Sequence, residues 1–418
     1  MTDSADTADD LLARIFFDPA GMANPYPLYR QLRELAPVHQ SATGAVVLTR
    51  FEDCREALRD NRLGKSNGVN VDGLIPSTDP EVTKFRAAQA QRILEADLPQ
   101  AMLSLNPPDH TRQRSLVSRA FTPRRVEQLR DSIAGLARRA VDDVADAGSC
   151  DLLEMLAFPL PVAVIGTMVG VPEADWPRFR SQVAASAYRV EPGASLEQLQ
   201  TADSAVREVG AYFHDLIAQR RSKPQDDLLS DLIAVEEAGD SLSAGEVAAV
   251  ALLLFAAGFE TTTNLIGNGM VALLHNPEQM QRLWDDPSLL PAAVEEMLRW
   301  DSPVQIDVRT ALEPAEIAGV DIAQGRRLIT LLGAANRDPA QFTNPEDFDI
   351  ERAEGPPMSF ASGIHYCLGA NLARAEGQEV FGALIDRFSS IELDSDPVHR
   401  QRTTLRGYET VPVRVKAR

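Results

Sequence analysis

The sequence predicts a single, mainly α-helical domain with small β-sheets, and three observations carry that prediction. Apolar residues recur with a helical period through most of the 418-residue chain. Strand-like runs are short and few. Proline and glycine clusters punctuate the helical stretches, with no internal repeat and no long linker.

Taken in order, the first ten residues are acidic and polar. They lack the basic start and apolar core of a secretory signal. Residues 1–20 are therefore expected to be a disordered tail and residues 21–418 the folded domain. A strand is expected at 45–49 and helices at 126–144 and 204–220. Ser243 and Glu246 have the spacing of a capping box, and Leu242 with Val247 can staple the same helix start. That helix should run to His275, where Asn276-Pro277 stops it. At about 1.5 Å of rise per residue it would be roughly 48 Å long, enough to cross the molecule. Its first half is apolar on most sides and should be buried. A further helix is expected at 291–300, with strands at 316–320, 327–331 and 411–415.

Composition narrows the function classes. Lysine and arginine number 41 against 61 acids, a net charge of −20. Such a chain repels phosphate, which argues against a nucleic-acid partner. The longest apolar run, 247–259, falls short of the ~18 residues a membrane span needs, so no membrane association is expected. The three cysteines, Cys54, Cys150 and Cys367, are scattered and form no disulfide framework. A reducing cytoplasm fits. No Cys-x-x-Cys or His-x-x-x-His cluster offers a zinc site.

Two segments carry chemistry. In the first, Cys367 sits just before an amphipathic stretch, 370–388, at a helix N-terminus that favours a thiolate. Gly363 and Gly369 would let backbone approach a flat ligand. A lone cysteine can equally be a small buried hydrophobe. In the second, Ala257-Gly258-Phe259-Glu260-Thr261 lies inside the long helix. Ala257 and Thr261 share a face with Leu253. Thr261 can bond back to the carbonyl at 257 and bend the helix. Gly258 would serve either that distortion or a close helix–helix contact, and Glu260 either a proton path or solvent.

The spacing Phe360-x-x-Gly363-x-His365-x-Cys367-x-Gly369 resembles the haem-binding signature of the cytochrome P450 family. Ala361 stands where the family often has glycine, a small change expected to be tolerated. The resemblance covers about 24–415. It implies the cytochrome P450 fold, with haem b between the long helix and the cysteine-loop helix. It implies Cys367 as the iron's thiolate ligand, which favours O–O cleavage. Glu260 and Thr261 would deliver protons during dioxygen activation. Ala257 and Gly258 would leave room for dioxygen.

Further residues take their roles from the same resemblance. The segment 106–114 is similar to the family's Asp-Pro-Pro-x-His-x-x-x-Arg element, with Asn106 in place of the aspartate. It makes His110 and Arg114, with Arg309 and His365, the cations that clamp the haem propionates. Glu296 and Arg299, at i,i+3, match the Glu-x-x-Arg fold element that supports the cysteine loop. The same spacing at Glu52/Arg55, Glu56/Arg59 and Glu127/Arg130 should give only surface pairs, each worth less than ~1 kcal/mol.

By analogy the pocket draws on 61–106, 173–213, the long helix, 304–307 and 403–405. Leu253, Ala256 and Leu405 are its apolar candidates. Gln305 and Asp307 should share a side with Arg309 by strand period. The expected reaction is hydroxylation or epoxidation of an apolar small molecule, consuming dioxygen. Electrons must come from outside, because the chain has no flavin or iron–sulfur segment; a ferredoxin and its reductase are the expected donors. Residues 110–130 hold six arginines, and Arg112 and Arg119 should face solvent as a ferredoxin dock. A peroxide-driven peroxygenase and a non-catalytic haem sensor or carrier are the alternatives. The Glu260–Thr261 pair disfavours the first, and the second would want a fused signalling domain.

Overall fold

The computed structural model describes residues 7–66, 77, 79–95, 99–237 and 242–418. The helical prediction holds across them. The long helix runs Ala244–His275 and begins with the expected capping box. Ser243 Oγ accepts from the Glu246 amide at 3.2 Å, and Glu246 Oε2 accepts from the Ser243 amide at 2.7 Å. Among the described helices it alone is long and apolar enough to cross a membrane. Here it is the core. From Phe259 to Leu273 nearly every residue is buried, packed against the helices Pro159–Val169, Leu196–Ser222, Leu290–Trp300 and Ala370–Arg387. Thirty-two residues of helix thus give the molecule a rigid axle on which the other helices pack.

The sheets are small, as expected, and lie to one side of the helices. The largest has five strands in the order Val38–Gln40, Val46–Leu48, Arg327–Leu331, Ile306–Ala311, Leu63–Gly64. Only Val46–Leu48 and Arg327–Leu331 pair in parallel. This sheet fixes the strand that carries Asp307 and Arg309. A second sheet joins Ser149–Asp151, Pro412–Ala417 and Phe388–Leu393. A hairpin of Val398–His399 and Tyr408–Thr410 holds the turn between them beside the long helix. Within that turn, the Asn268 amide donates to the carbonyl of Arg406 at 3.2 Å.

Two expectations are corrected. The run 316–320 is not one strand. It is a hairpin of Ala315–Ile317 and Val320–Ile322. Ala318 and Gly319 turn it with φ of 51° and 75°, the double positive φ that two-residue hairpins favour. The expected tail also fails from residue 7 onward. Ala8–Phe17 is a helix capped by Thr7 and Asp10, and it buries Leu11, Leu12, Ile15 and Phe16. These pack with Tyr29, Ile306 and Leu331. The acids that read as solvating sit in the first turn, where a helix favours them. Residues 1–6 lie outside the described residues.

Candidate functional site

The cysteine loop is built from two short 3-10 turns, Met358–Phe360 and Gly363–His365, leading into Ala370–Arg387. The Cys367 amide donates to the Phe360 carbonyl at 3.0 Å, which closes the loop. Cys367 is reachable by solvent, yet protein surrounds most of the thiol. That burial pushes its pKa up, against the Gly369 amide and the charges of Arg114 and Arg374. A coordinating metal would deprotonate the thiol outright.

The two glycines differ. A Cβ at Gly369 would meet nothing within 4 Å, so open space lies over it. A Cβ at Gly363 would collide with the Leu58 carbonyl oxygen, and its φ is +73°. Gly363 thus serves the packing of the loop on Phe51–Arg59. Ala361 has φ 57° and ψ −155°, a region that glycine alone enters freely. The alanine expected to be harmless is therefore strained.

Beside the loop lies a cluster of basic side chains with unpaired nitrogens. The rings of His110 and His365 are 4.3 Å apart. Both nitrogens of His110, Nε2 of His365 and Nη2 of Arg309 are buried without a partner among the described residues. Burial, aided by the charges of Arg309 and Lys65, pushes His365 down to about 3. Burial lowers His110 as well, with Arg114 and Arg309 adding to it. Arg114 Nη2 donates to the Tyr366 carbonyl at 2.6 Å and so braces the cysteine loop.

The cluster contains a cation that sequence reasoning missed. Lys65 Nζ lies 3.2 Å from Asp307 Oδ1 and 3.1 Å from the Val308 carbonyl. Its backbone is gripped on both sides by the Asn106 amide, each bond 2.7 Å. Asp307 also pairs with Arg309. Burial alone would raise the Asp307 carboxyl, but Arg309 and Lys65 hold it below its ordinary value. Asp307 therefore belongs with the cations and is corrected from the expected substrate wall. Gln305 is corrected too. Its backbone amide donates to the Thr404 carbonyl at 3.0 Å and its carbonyl accepts from the Gly333 amide at 3.2 Å. Fully buried, its side-chain amide donates to Ser302 O at 2.8 Å and to the Tyr26 hydroxyl at 3.3 Å.

On the long helix, Thr261 Oγ1 donates to the Ala257 carbonyl at 2.9 Å, the expected back-bond. Ala257 is exposed in the middle of this otherwise apolar helix, with Leu253, Ala256 and Thr261 half-buried around it. Gly258 answers to packing. A Cβ there would sit 3.2 Å from Ile165 Cγ1. Glu260 is buried and does not face solvent. Its carboxylate is paired with Arg400 and, at 2.9 Å, with Arg402. Neither arginine was foreseen. Leu405 is half-buried beside Val304. Residues 67–76, 78 and 96–98 of the expected pocket segment 61–106 lie outside the described residues.

Glu296 and Arg299 form the buried pair expected of them, with two bonds of 2.7 Å. Arg299 also donates to the carbonyls of Asn336, Pro345 and Asp347. The Asn336 side chain in turn accepts from the Met358 amide at 2.7 Å, at the start of the cysteine loop. The neighbouring Glu295 pairs with Arg374. Of the three surface spacings, Glu52/Arg55 and Glu127/Arg130 pair. Arg59 instead donates to Ser362 Oγ, and Glu56 accepts from the Ala318 amide.

An accessible thiol, orphaned donors on His110, His365 and Arg309, and open space over Gly369 fit a flat cofactor carrying a thiophilic metal and anionic edges. Comparison with known proteins agrees. The cytochrome P450 family model matches residues 78–286 and 284–415. The chain is 40% identical over 415 residues to cytochrome P450 107B1 of Saccharopolyspora erythraea, covering 97% of this chain and 98% of that one. It is 38% identical to 6-deoxyerythronolide B hydroxylase of the same organism, covering 93% and 96%. A crystal structure of the myxobacterial P450 CYP267B1 with myristic acid superposes with a TM-score of 0.84 at 37% identity, covering 96% and 98%. The chain belongs to the cytochrome P450 family and is a haem-dependent monooxygenase.

Proposed function

We propose that this monooxygenase holds haem b on Cys367 and oxidises a bulky apolar molecule bearing one or two polar groups, of polyketide or long acyl type. The observation that carries the reading is the set of orphaned donors on Arg309, His110 and His365 beside the accessible Cys367 thiol. Those donors suit the two propionates. Arg114 braces the loop, and Lys65 adds a charge the family pattern did not call for. When bound, the haem iron supplies dioxygen activation and oxygen insertion.

The chain's own part is to shape the pocket and move protons. Ala257 leaves room beside Thr261, whose hydroxyl, bonded to the 257 carbonyl, is a fixed donor–acceptor on that face. Glu260, tethered by Arg400 and Arg402, would relay protons from water towards it. Leu253, Ala256 and Leu405 offer apolar wall. The relatives support the substrate class: one is a hydroxylase of 6-deoxyerythronolide B, and another was crystallised with myristic acid.

Electrons would come from a ferredoxin and its reductase in the cytoplasm. The docking surface needs revision. Arg112 pairs with Glu246 at 2.5 Å and with Asp109, and so ties its helix to the start of the long helix. Arg119, Arg124 and Arg125 are exposed and take over the docking role. Substrate identity is tested by titrating the purified ferric protein with macrolactones and C12–C18 fatty acids. A true substrate shifts the Soret band from low to high spin. If neither class does so, the substrate proposal fails.

A further inference from the structure

The turn 402–405 is pinned to the segment that follows the 179–186 helix by an unusual set of bonds. Three consecutive amides, of Thr403, Thr404 and Leu405, converge on the single carboxylate of Glu191 at 2.8, 3.0 and 2.9 Å. Glu191 is only 4% exposed. Burial pushes its carboxyl up, and the three amides and Arg402 pull it back. Thr404 Oγ1 donates to the Val190 carbonyl at 2.8 Å. Arg402 Nη2 donates to the Ala184 carbonyl at 2.8 Å, and the guanidinium lies over the Tyr188 ring. From the other side, Arg86 Nη2 donates to the Glu191 carbonyl at 3.1 Å.

These bonds have no counterpart in regular secondary structure. They join a chain segment at 184–191 to one at 402–405, more than 200 positions apart. The same turn sits against the long helix, because Arg402 also holds Glu260. Without the Glu191 carboxylate, three buried amides of one turn would be left unsatisfied, and each such loss is costly. The turn would then have to move to reach water, carrying Leu405 with it.

We propose that Glu191 is a specificity-determining residue: it latches 184–191 to 402–405, and the tightness of that latch sets the size of molecule admitted beside Thr261. The proposal rests on the pocket described under Proposed function. It predicts that a small ligand passes regardless of the latch, whereas a bulky one must wait for it to open.

Two azoles of different size read this directly through the Soret shift of nitrogen ligation, and need no electrons, no proton delivery and no known substrate. Stopped-flow association of imidazole and of clotrimazole is compared in the wild-type holoenzyme, Glu191→Ala, Glu191→Gln and Thr404→Val. Clotrimazole association should accelerate at least tenfold in Glu191→Ala, and by less in Glu191→Gln and Thr404→Val, with imidazole within twofold throughout. Thr404→Val keeps the carboxylate in place and decides the matter if Glu191→Ala does not retain haem. Clotrimazole rates unchanged in the variants, or imidazole rates rising equally, overturn the latch alone. Wild-type protein that shifts with neither azole overturns the haem reading and the latch with it.

Discussion

The Arg402 guanidinium lies 2.9 Å from the carboxylate of Glu260, and Arg400 holds the same oxygen. The acid proposed to feed protons to Thr261 is thus committed to two cations at rest. Thr261 is the residue whose loss isolates the step. Thr261→Ala should retain haem and the carbon monoxide spectrum while product per NAD(P)H falls about tenfold or more, the scale of lost general acid catalysis. Hydrogen peroxide should account for the difference. A reconstituted assay that follows NAD(P)H, product and peroxide together checks this, and unchanged coupling counts against the role.

Ala361 gives a stability prediction of the opposite sign from most substitutions. Its φ of 57° with ψ −155° is a glycine conformation. Such strain costs on the order of 1–3 kcal/mol, and part of that is offset by the greater chain entropy of glycine when unfolded. Ala361→Gly should therefore stabilise the holoenzyme by about 1 kcal/mol. The midpoint of haem loss in urea should rise; a lower midpoint contradicts the strain.

Glu376 gives a pH prediction. It is buried on the cysteine-loop helix with one carboxylate oxygen unpartnered, and burial pushes its pKa up to about 8. Between about 4.5 and 8 the unfolded chain loses a proton that the folded chain keeps. Stability from this group is therefore full below that window and is lost as pH rises through it. Glu376→Gln, which carries no charge to bury, should flatten the decline. At pH 9 it should be more stable than wild type by a few kcal/mol, on the order of 1.4 per pKa unit. Parallel urea melts at pH 6 and pH 9 measure it, and an unchanged slope between the two proteins refutes it.

The revised basic patch predicts an electrostatic effect on the donor. Arg119→Glu with Arg124→Glu should slow first-electron transfer about tenfold at low ionic strength and weaken its salt dependence, with haem spectra unchanged. The measurement is the transfer rate against ferredoxin concentration at two salt levels. Wild-type kinetics in the double variant would remove the patch.

What was legible in the sequence was what is local. The long helix announced itself through its cap and its apolar run, and the cysteine loop through ten adjacent residues. Glu296 was legible only through the Glu-x-x-Arg resemblance, and the structure pairs it with Arg299 while Arg374 takes Glu295. What was missed is what tertiary folding assembles. Lys65, Glu191, Arg400 and Arg402 come to the site from distant segments with no shared spacing. Arg112 looked free because a helical wheel knows only its own helix, and Glu246 reaches it from another. Gln305 failed because its side chain turns to Ser302 and the Tyr26 hydroxyl, contacts that no spacing shows.

The central claim is that Cys367 ligates the haem iron, and the reduced carbon monoxide difference spectrum of Cys367→Ser tests it most directly. Wild-type protein should show the red-shifted Soret maximum that thiolate ligation produces by electron donation to the iron. Cys367→Ser should lose that band entirely, in protein whose far-ultraviolet circular dichroism is unchanged. A variant that keeps the red-shifted band would mean another residue ligates the iron, and would contradict the account.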